Sequence, residues 1–160
     1  MFKMKNDLSE TIRKKSVELL GARLADAIDL QTQIKHAHWN VKGPSFIALH
    51  ELFDKFAGEA TDYADEIAER AMALGGSVTG TARSVAANSS LPEYPADATG
   101  CRGHLTALAT ALAAFGKNVR AAIDKSAEFG DADTADLFTG VSRGIDKSLW
   151  FVEAHLQADG

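Results

Sequence analysis

Residues 46–76, FIALHELFDKFAGEATDYADEIAERAMALGG, decide how this chain folds. Phe46, Leu49, Phe53, Phe56, Ala60, Tyr63, Ile67, Ala71 and Leu74 recur at steps of three and four, which gathers them on one face of an α-helix. Gly75 and Gly76 stop the pattern as a helix C-terminus does, so the spacing predicts a helix over about 45–75. Beside that stripe, one or two positions out, run His50 and Asp54, then Asp65 and Glu69. Each is an i,i+4 pair on one face, able to grip a cation from one side. At 1.5 Å rise per residue, Asp54 and Asp65 lie about 16 Å apart, so a single ion cannot join the pairs. Each is half a site, to be completed by a second chain.

On the N-terminal side, Val17, Leu20, Leu24, Ala27, Gln31, Ile34 and His38 form another helical stripe, with Asp7 and Glu10 before it in capping-box spacing. This predicts a first helix over about 8–40. Asn40, Gly43, Pro44 and Ser45 break it. On the C-terminal side, residues 76–96 hold Gly76, Gly80, Pro92 and Pro95 and read as a crossover with room for one short helix near Thr81–Ala87. Leu105, Leu108, Leu112, Phe115, Val119 and Ala122 mark a third long helix over about 97–127, with Asp97 as N-cap and Gly130 past its end. Phe138, Val141, Ile145, Leu149, Val152 and Leu156 mark a fourth over about 131–157. Short first and last turns around a long middle crossover predict an all-α, ferritin-like four-helix bundle filling residues 1–160 as one domain.

Composition narrows the function. The chain has 160 residues, 46% of them apolar, enough for a core without staples. Its lone cysteine, Cys101, cannot close an internal disulfide, and the charged start MFKMKND lacks an apolar signal region, so a cytoplasmic location is the default. The run Ala107–Phe115 is far short of a membrane span. With 22 acids against 17 bases, the net charge of −5 disfavours nucleic acid as a partner of the whole surface and suits one that gathers cations.

An iron or zinc site inside a helical bundle places its ligands on the inward stripe, commonly as Glu-x-x-His, a pattern absent from this chain. The flank position of His50, Asp54, Asp65 and Glu69 therefore points outward. A twofold axis across the second helix would set His50 and Asp54 of one chain against Asp65 and Glu69 of another, twice per dimer. Taken singly, a His-x-x-x-Asp pair is mostly a surface ion pair, and two acids a turn apart mostly a solvated face. His38 adds a donor at the same end, continuing the first apolar stripe where an aliphatic is usual. Trp39 and Trp150 are packing residues by default. His36, His104 and His155 have no company at ligand spacing.

With those residues in view, KHAHWNVKGPSFIALHELFDKF, AERAMALGG and TADLFTGVSRGIDKSLWFVEAHL resemble the Dps family of ferritin-like mini-ferritins over nearly the whole chain. The family's iron-oxidising signature is a histidine before Trp-Asn, then His-x-x-x-Asp, then Asp-x-x-x-Glu. His38, His50, Asp54, Asp65 and Glu69 meet it without a substitution. The resemblance implies a hollow homo-dodecamer with iron bound between twofold-related subunits, His38, His50 and Asp54 from one and Asp65 and Glu69 from the other. It implies a ferroxidase that oxidises iron(II), preferentially with hydrogen peroxide rather than oxygen, and stores iron(III) as mineral, with no haem or nucleotide. Imidazole and carboxylate donors without thiolate suit that metal. Trp39, and Trp150 with it, would absorb stray oxidising equivalents.

The resemblance also places Asp131, Asp133 and Asp136 at acidic threefold pores, although Asp131 reads equally as an N-cap and the others as first-turn acids. Glu59, Asp62 and Glu66 would seed mineral or simply face solvent. Family members that condense DNA carry long lysine-rich extensions. Here Lys3 and Lys5 precede the first helix and the chain ends HLQADG, so DNA binding is expected to be weak, with nucleoid association the alternative role.

Overall fold

The computed structural model describes residues 1–157; the last three residues of the predicted domain lie outside the described residues. It contains five helices, α1 (Glu10–Asn40), α2 (Phe46–Ala73), α3 (Ala82–Asn88), α4 (Gly100–Phe129) and α5 (Ala132–Leu156), and no strand among the described residues. α1 packs along α2, α4 packs along α5, and α1 against α4 joins the two pairs, with α3 lying on α1. This is the four-helix bundle that the periodicity requires.

The core follows the apolar stripes. Leu20, Leu24, Leu30 and Ile34 of α1, Leu49, Phe53, Phe56 and Ile67 of α2, Leu108, Leu112 and Phe115 of α4, and Phe138, Val141 and Ile145 of α5 are all buried. Each such side chain contributes roughly 1.5–3 kcal/mol by leaving water. Near the end of α1 the buried path runs through Leu30, Ile34 and Ala37 into Val41. Gln31 and His38 are therefore not the core positions that their spacing suggested. The stripe has slipped by one residue, and His38 stands on its border.

Helix ends differ from the sequence reading in two places. Ser9, whose hydroxyl accepts the Ile12 amide at 3.3 Å, caps α1 in place of an Asp7 box, because a cap must sit directly before the first helical residue. α4 begins at Gly100 after Thr99 instead of at Asp97, because residues 95–98 close a turn through the Ala98 amide and the Pro95 carbonyl. Gly130 ends α4 at φ 84°, and the Asp131 amide returns to the Ser126 carbonyl at 3.0 Å, leaving a two-residue link into α5.

Hydrogen bonds fix the crossover. Fully buried Asp26 accepts from the Ser90 amide at 2.7 Å and from Asn118 Nδ2 at 3.2 Å, and pairs with Arg23 at 3.0 Å. Gln33 Nε2 donates to the Pro92 carbonyl at 3.0 Å. These bonds tie residues 89–92 to α1 and α4. The N-terminal arm is also attached, the Phe2 amide donating to the Gly75 carbonyl at 2.6 Å. No helix among the described residues is long and apolar enough to cross a membrane.

Candidate metal centre

His38, in the last turn of α1, and His50, in the second turn of α2, meet across the five-residue turn 41–45. His38 Nδ1 lies 2.8 Å from the His50 carbonyl oxygen, and His50 Nδ1 lies 2.9 Å from the His38 carbonyl oxygen. A carbonyl only accepts, so each Nδ1 carries a proton and donates it, and in the neutral imidazole Nε2 is the nitrogen that holds the lone pair. The rings stack with centroids 3.7 Å apart at 22°. This is the tautomer and support that a metal-ligating imidazole requires.

Asp54, one turn beyond His50, reaches within 4.0 Å of His38 Nε2. Its Oδ1 receives Lys35 Nζ at 2.7 Å, and that hydrogen bond and charge hold the carboxyl below the usual carboxylate range. Lys35 thus stands beside Asp54 where a cation would neutralise it, and its ammonium also lies 5.9 Å from the Trp39 ring centroid. Trp39 and Ile47 are 69% and 61% exposed, and Phe46 is partly so, which surrounds the two histidines with uncovered apolar surface.

Asp65 and Glu69 are exposed on α2, further along the same helix. Asp65 borders a shallow cleft of about 400 Å³ whose walls include Leu24, Ile28, Ala68 and Val78. Among the described residues, no three His, Cys, Asp or Glu side chains of one subunit converge closely enough to hold an ion. The structure brings His38 and His50 together with Asp54 4.0 Å from His38 Nε2, and leaves Asp65 and Glu69 further along α2.

The acids at the start of α5 divide. Asp131 is buried, caps α5 by accepting the Thr134 amide at 3.1 Å, and pairs with Arg70 Nη2 at 2.7 Å. Burial alone would raise its pKa, but bonds from Thr134 and Arg70 outweigh it and hold the carboxyl below its ordinary value. A carboxylate so enclosed cannot line a pore, which corrects its place among the pore candidates. Asp133 is exposed, 3.8 Å from Arg70 Nη1, and Asp136 is exposed one turn further on. Of the other acids on α2, Glu59 accepts from Ser148 Oγ at 3.2 Å, while Asp62 and Glu66 face solvent. Trp150 is 63% exposed, its ring edge-on to Phe151 at 5.0 Å.

Sequence spacing missed a second histidine cluster. Tyr94, in the crossover, meets His104 Nδ1 at 2.6 Å, and its ring lies edge-on to His36 at 4.7 Å. These residues come from α1, a loop and α4, so no local pattern could have joined them.

A family model for the ferritin-like domain matches residues 17–159. The DNA protection during starvation protein of Agrobacterium fabrum is 45% identical over 97% of this chain and 96% of its own length. Its counterpart in Mycolicibacterium smegmatis is 33% identical over 96% of this chain and 83% of its own. DpsC from Streptomyces coelicolor superimposes with a TM-score of 0.92, at 33% identity, over 97% of this chain and 91% of that one. Signature residues, fold and relatives agree: the chain belongs to the Dps family of ferritin-like proteins.

Proposed function

We propose that the chain is a ferroxidase that oxidises iron(II), preferentially with hydrogen peroxide, and stores iron(III) as mineral inside a dodecameric cage, so protecting the cell's DNA. The observation that carries this reading is the reciprocal bonding of His38 and His50, which commits each Nδ1 to a carbonyl and leaves each Nε2 for a ligand, that of His38 4.0 Å from Asp54. Packing histidines have no need of that reciprocal bonding. Asp65 and Glu69 of a twofold-related subunit complete the ligand set. The exposed Trp39, Phe46 and Ile47 of one subunit are suited to the apolar-walled cleft beside the other's Asp65.

In this reading the imidazoles and carboxylates hold two iron(II) ions with open positions for peroxide. Each ion gives one electron, peroxide takes both with two protons, and two waters leave. Lys35 withdraws from Asp54 as the ions arrive. Asp133 and Asp136 line the entry pores, Asp62 and Glu66 offer carboxylates to the growing mineral, and Trp39 absorbs an oxidising equivalent that escapes. The test is peroxide added to anaerobic protein carrying iron(II), followed by iron(III) absorbance. Fast oxidation that is lost in Asp65→Ala/Glu69→Ala supports the centre, and equal rates in both proteins reject it.

A second reading, in which the protein coats DNA directly, is favoured by the names of the relatives. The arm that would do so is bonded at Phe2 to Gly75, and the chain is net negative, which supports weak binding only. A gel shift that survives above ~200 mM salt would bring DNA coating to the front.

A further inference from the structure

The first residues of the chain lie back on the end of α2, and what holds them is slight. The Phe2 amide donates to the Gly75 carbonyl at 2.6 Å. Met4 occupies the space over Gly75, where a Cβ built on that glycine would come within 2.6 Å of Met4 Cγ and 2.9 Å of the Phe2 carbonyl oxygen. Residues 1–7 are otherwise exposed, Lys3 and Lys5 among them. We propose that Met4 is a peroxide-sensitive clasp: oxidation of its thioether to the sulfoxide detaches the N-terminal arm and frees Lys3 and Lys5 to hold the phosphate backbone of DNA.

The seat is made for an apolar group. Gly75, at φ 80°, turns the chain out of α2 and leaves, by its missing side chain, the room that Met4 takes. Around that room stand the Phe2 carbonyl, which only accepts, and Arg13, whose Nη1 lies 3.2 Å from the same built carbon. Arg13 already gives Nη1 to the Leu74 carbonyl at 3.0 Å and Nε to the Leu8 carbonyl at 3.2 Å, bonds that fix the root of the arm. A sulfoxide oxygen is a strong acceptor, and water beyond the seat satisfies it better than a carbonyl beside it. Oxidation thus turns the flexible apolar side chain that fits Gly75 into a polar one that does not.

The sulfur is also within reach. Met4 is 40% exposed, so peroxide meets it without opening the fold. The thioether attacks one oxygen of hydrogen peroxide, the O–O bond breaks and an S–O bond forms. The other oxygen leaves as hydroxide, takes the proton of the transferred oxygen and becomes water. Sulfur loses two electrons and peroxide gains them. Iron has no part in the step, so the clasp stands or falls apart from the ferroxidase reading.

Residues 1–5 carry Lys3, Lys5 and the amino terminus with no acid among them. Held against α2, these charges are fixed on a net negative molecule. Released, they move clear of it, and the arms of several copies in one assembly act on the same duplex. DNA holding would then follow exposure to peroxide.

The test uses the iron-free assembly, treated with hydrogen peroxide and cleared of it with catalase. Trypsin cleavage after Lys5 is followed by mass spectrometry, which also reports the oxygen gained at Met1, Met4 and Met72. Oxidised wild-type protein is expected to be cut about tenfold faster than reduced protein, because cleavage tracks the detached fraction. Methionine sulfoxide reductase should reverse the change. Met4→Leu should be cut slowly with or without peroxide, Met72→Leu should respond as the wild type does, and Met4→Gln should be cut fast without peroxide. The clasp is overturned if Met4 stays unoxidised while Met1 and Met72 take up oxygen, or if Met4→Leu responds like the wild type. Unchanged cleavage after Met4 is oxidised overturns it too, and slower cleavage would mean that Arg13 captures the new oxygen and tightens the arm. In a gel shift at ~50 mM salt, oxidised protein should retain DNA at several-fold lower concentration, a gain absent from Lys3→Gln/Lys5→Gln. An arm released without that gain overturns the link to DNA.

Discussion

Asp26 and Asp54 are both carboxylates beside a basic residue, yet the fold treats them in opposite ways. Asp26 is sealed inside the bundle, where Arg23, Ser90 and Asn118 use its lone pairs. Asp54 is 60% exposed, with one lysine on one oxygen and His38 Nε2 4.0 Å away. The first is a finished contact that holds a crossover. The second is an unfinished one, and unfinished coordination is what a protein keeps for a ligand.

The largest effect expected from breaking that contrast is at Asp26. Its replacement by Ala deprives the part-buried Arg23 of its carboxylate and leaves Ser90 and Asn118 without their shared acceptor, and should cost about 3–5 kcal/mol, read as an earlier denaturant midpoint, with residues 89–92 losing hydrogen-exchange protection first. Next comes the half-site. His50→Ala/Asp54→Ala and Asp65→Ala/Glu69→Ala should each lower peroxide-driven iron oxidation by about a hundredfold, close to 2.7 kcal/mol in the barrier, with little change in stability. Coassembled from unfolded subunits, the two variants should regain about a quarter of the wild-type sites, because a mixed dimer rebuilds one complete centre of its two. A mixture as inactive as its parents would place all the ligands in one chain.

Asp131 sharpens the comparison through pH. Its folded pKa is lowered, so its stabilisation is full above the unfolded carboxylate value of about 3.9 and is lost as pH falls through the lower folded value. Unfolding measured from pH 6 to pH 3 should show a shallower acid loss in Asp131→Asn than in the wild type. The smallest effect is expected at the α4–α5 link. Gly130→Ala forces a side chain onto φ 84° and should cost about 1 kcal/mol, seen as a drop in Tm of a few degrees with iron oxidation unchanged.

The bundle was legible because its evidence is local. The stripe from Leu49 to Leu74 needs only 3.6 residues per turn to show itself, and the glycines that stop it act on their own backbone. The separation of His50 and Asp54 from Asp65 and Glu69 was legible for the same reason, since about 16 Å follows from counting along one helix. His38 was found with the wrong rationale: it borders the core instead of continuing it, and its placement depends on His50 across the turn. Ser9, Thr99, Asp26 and the meeting of Tyr94 with His104 stayed hidden because each depends on what another segment does. Asp131 looked equally suited to a cap or a pore until Arg70, 61 residues away, supplied the deciding contact.

The clasp between His38 and His50 also bears on entropy. Two free imidazoles would each lose rotamer freedom on binding an ion, at roughly 0.5–1.5 kcal/mol apiece. Here folding has already imposed that loss, because each ring is fixed by a carbonyl belonging to the other residue. In the proposed centre, what would remain to be ordered on metal binding is Asp54 and the meeting of two subunits. Selectivity for the ion would then depend on how well one preset pair of nitrogens suits its radius.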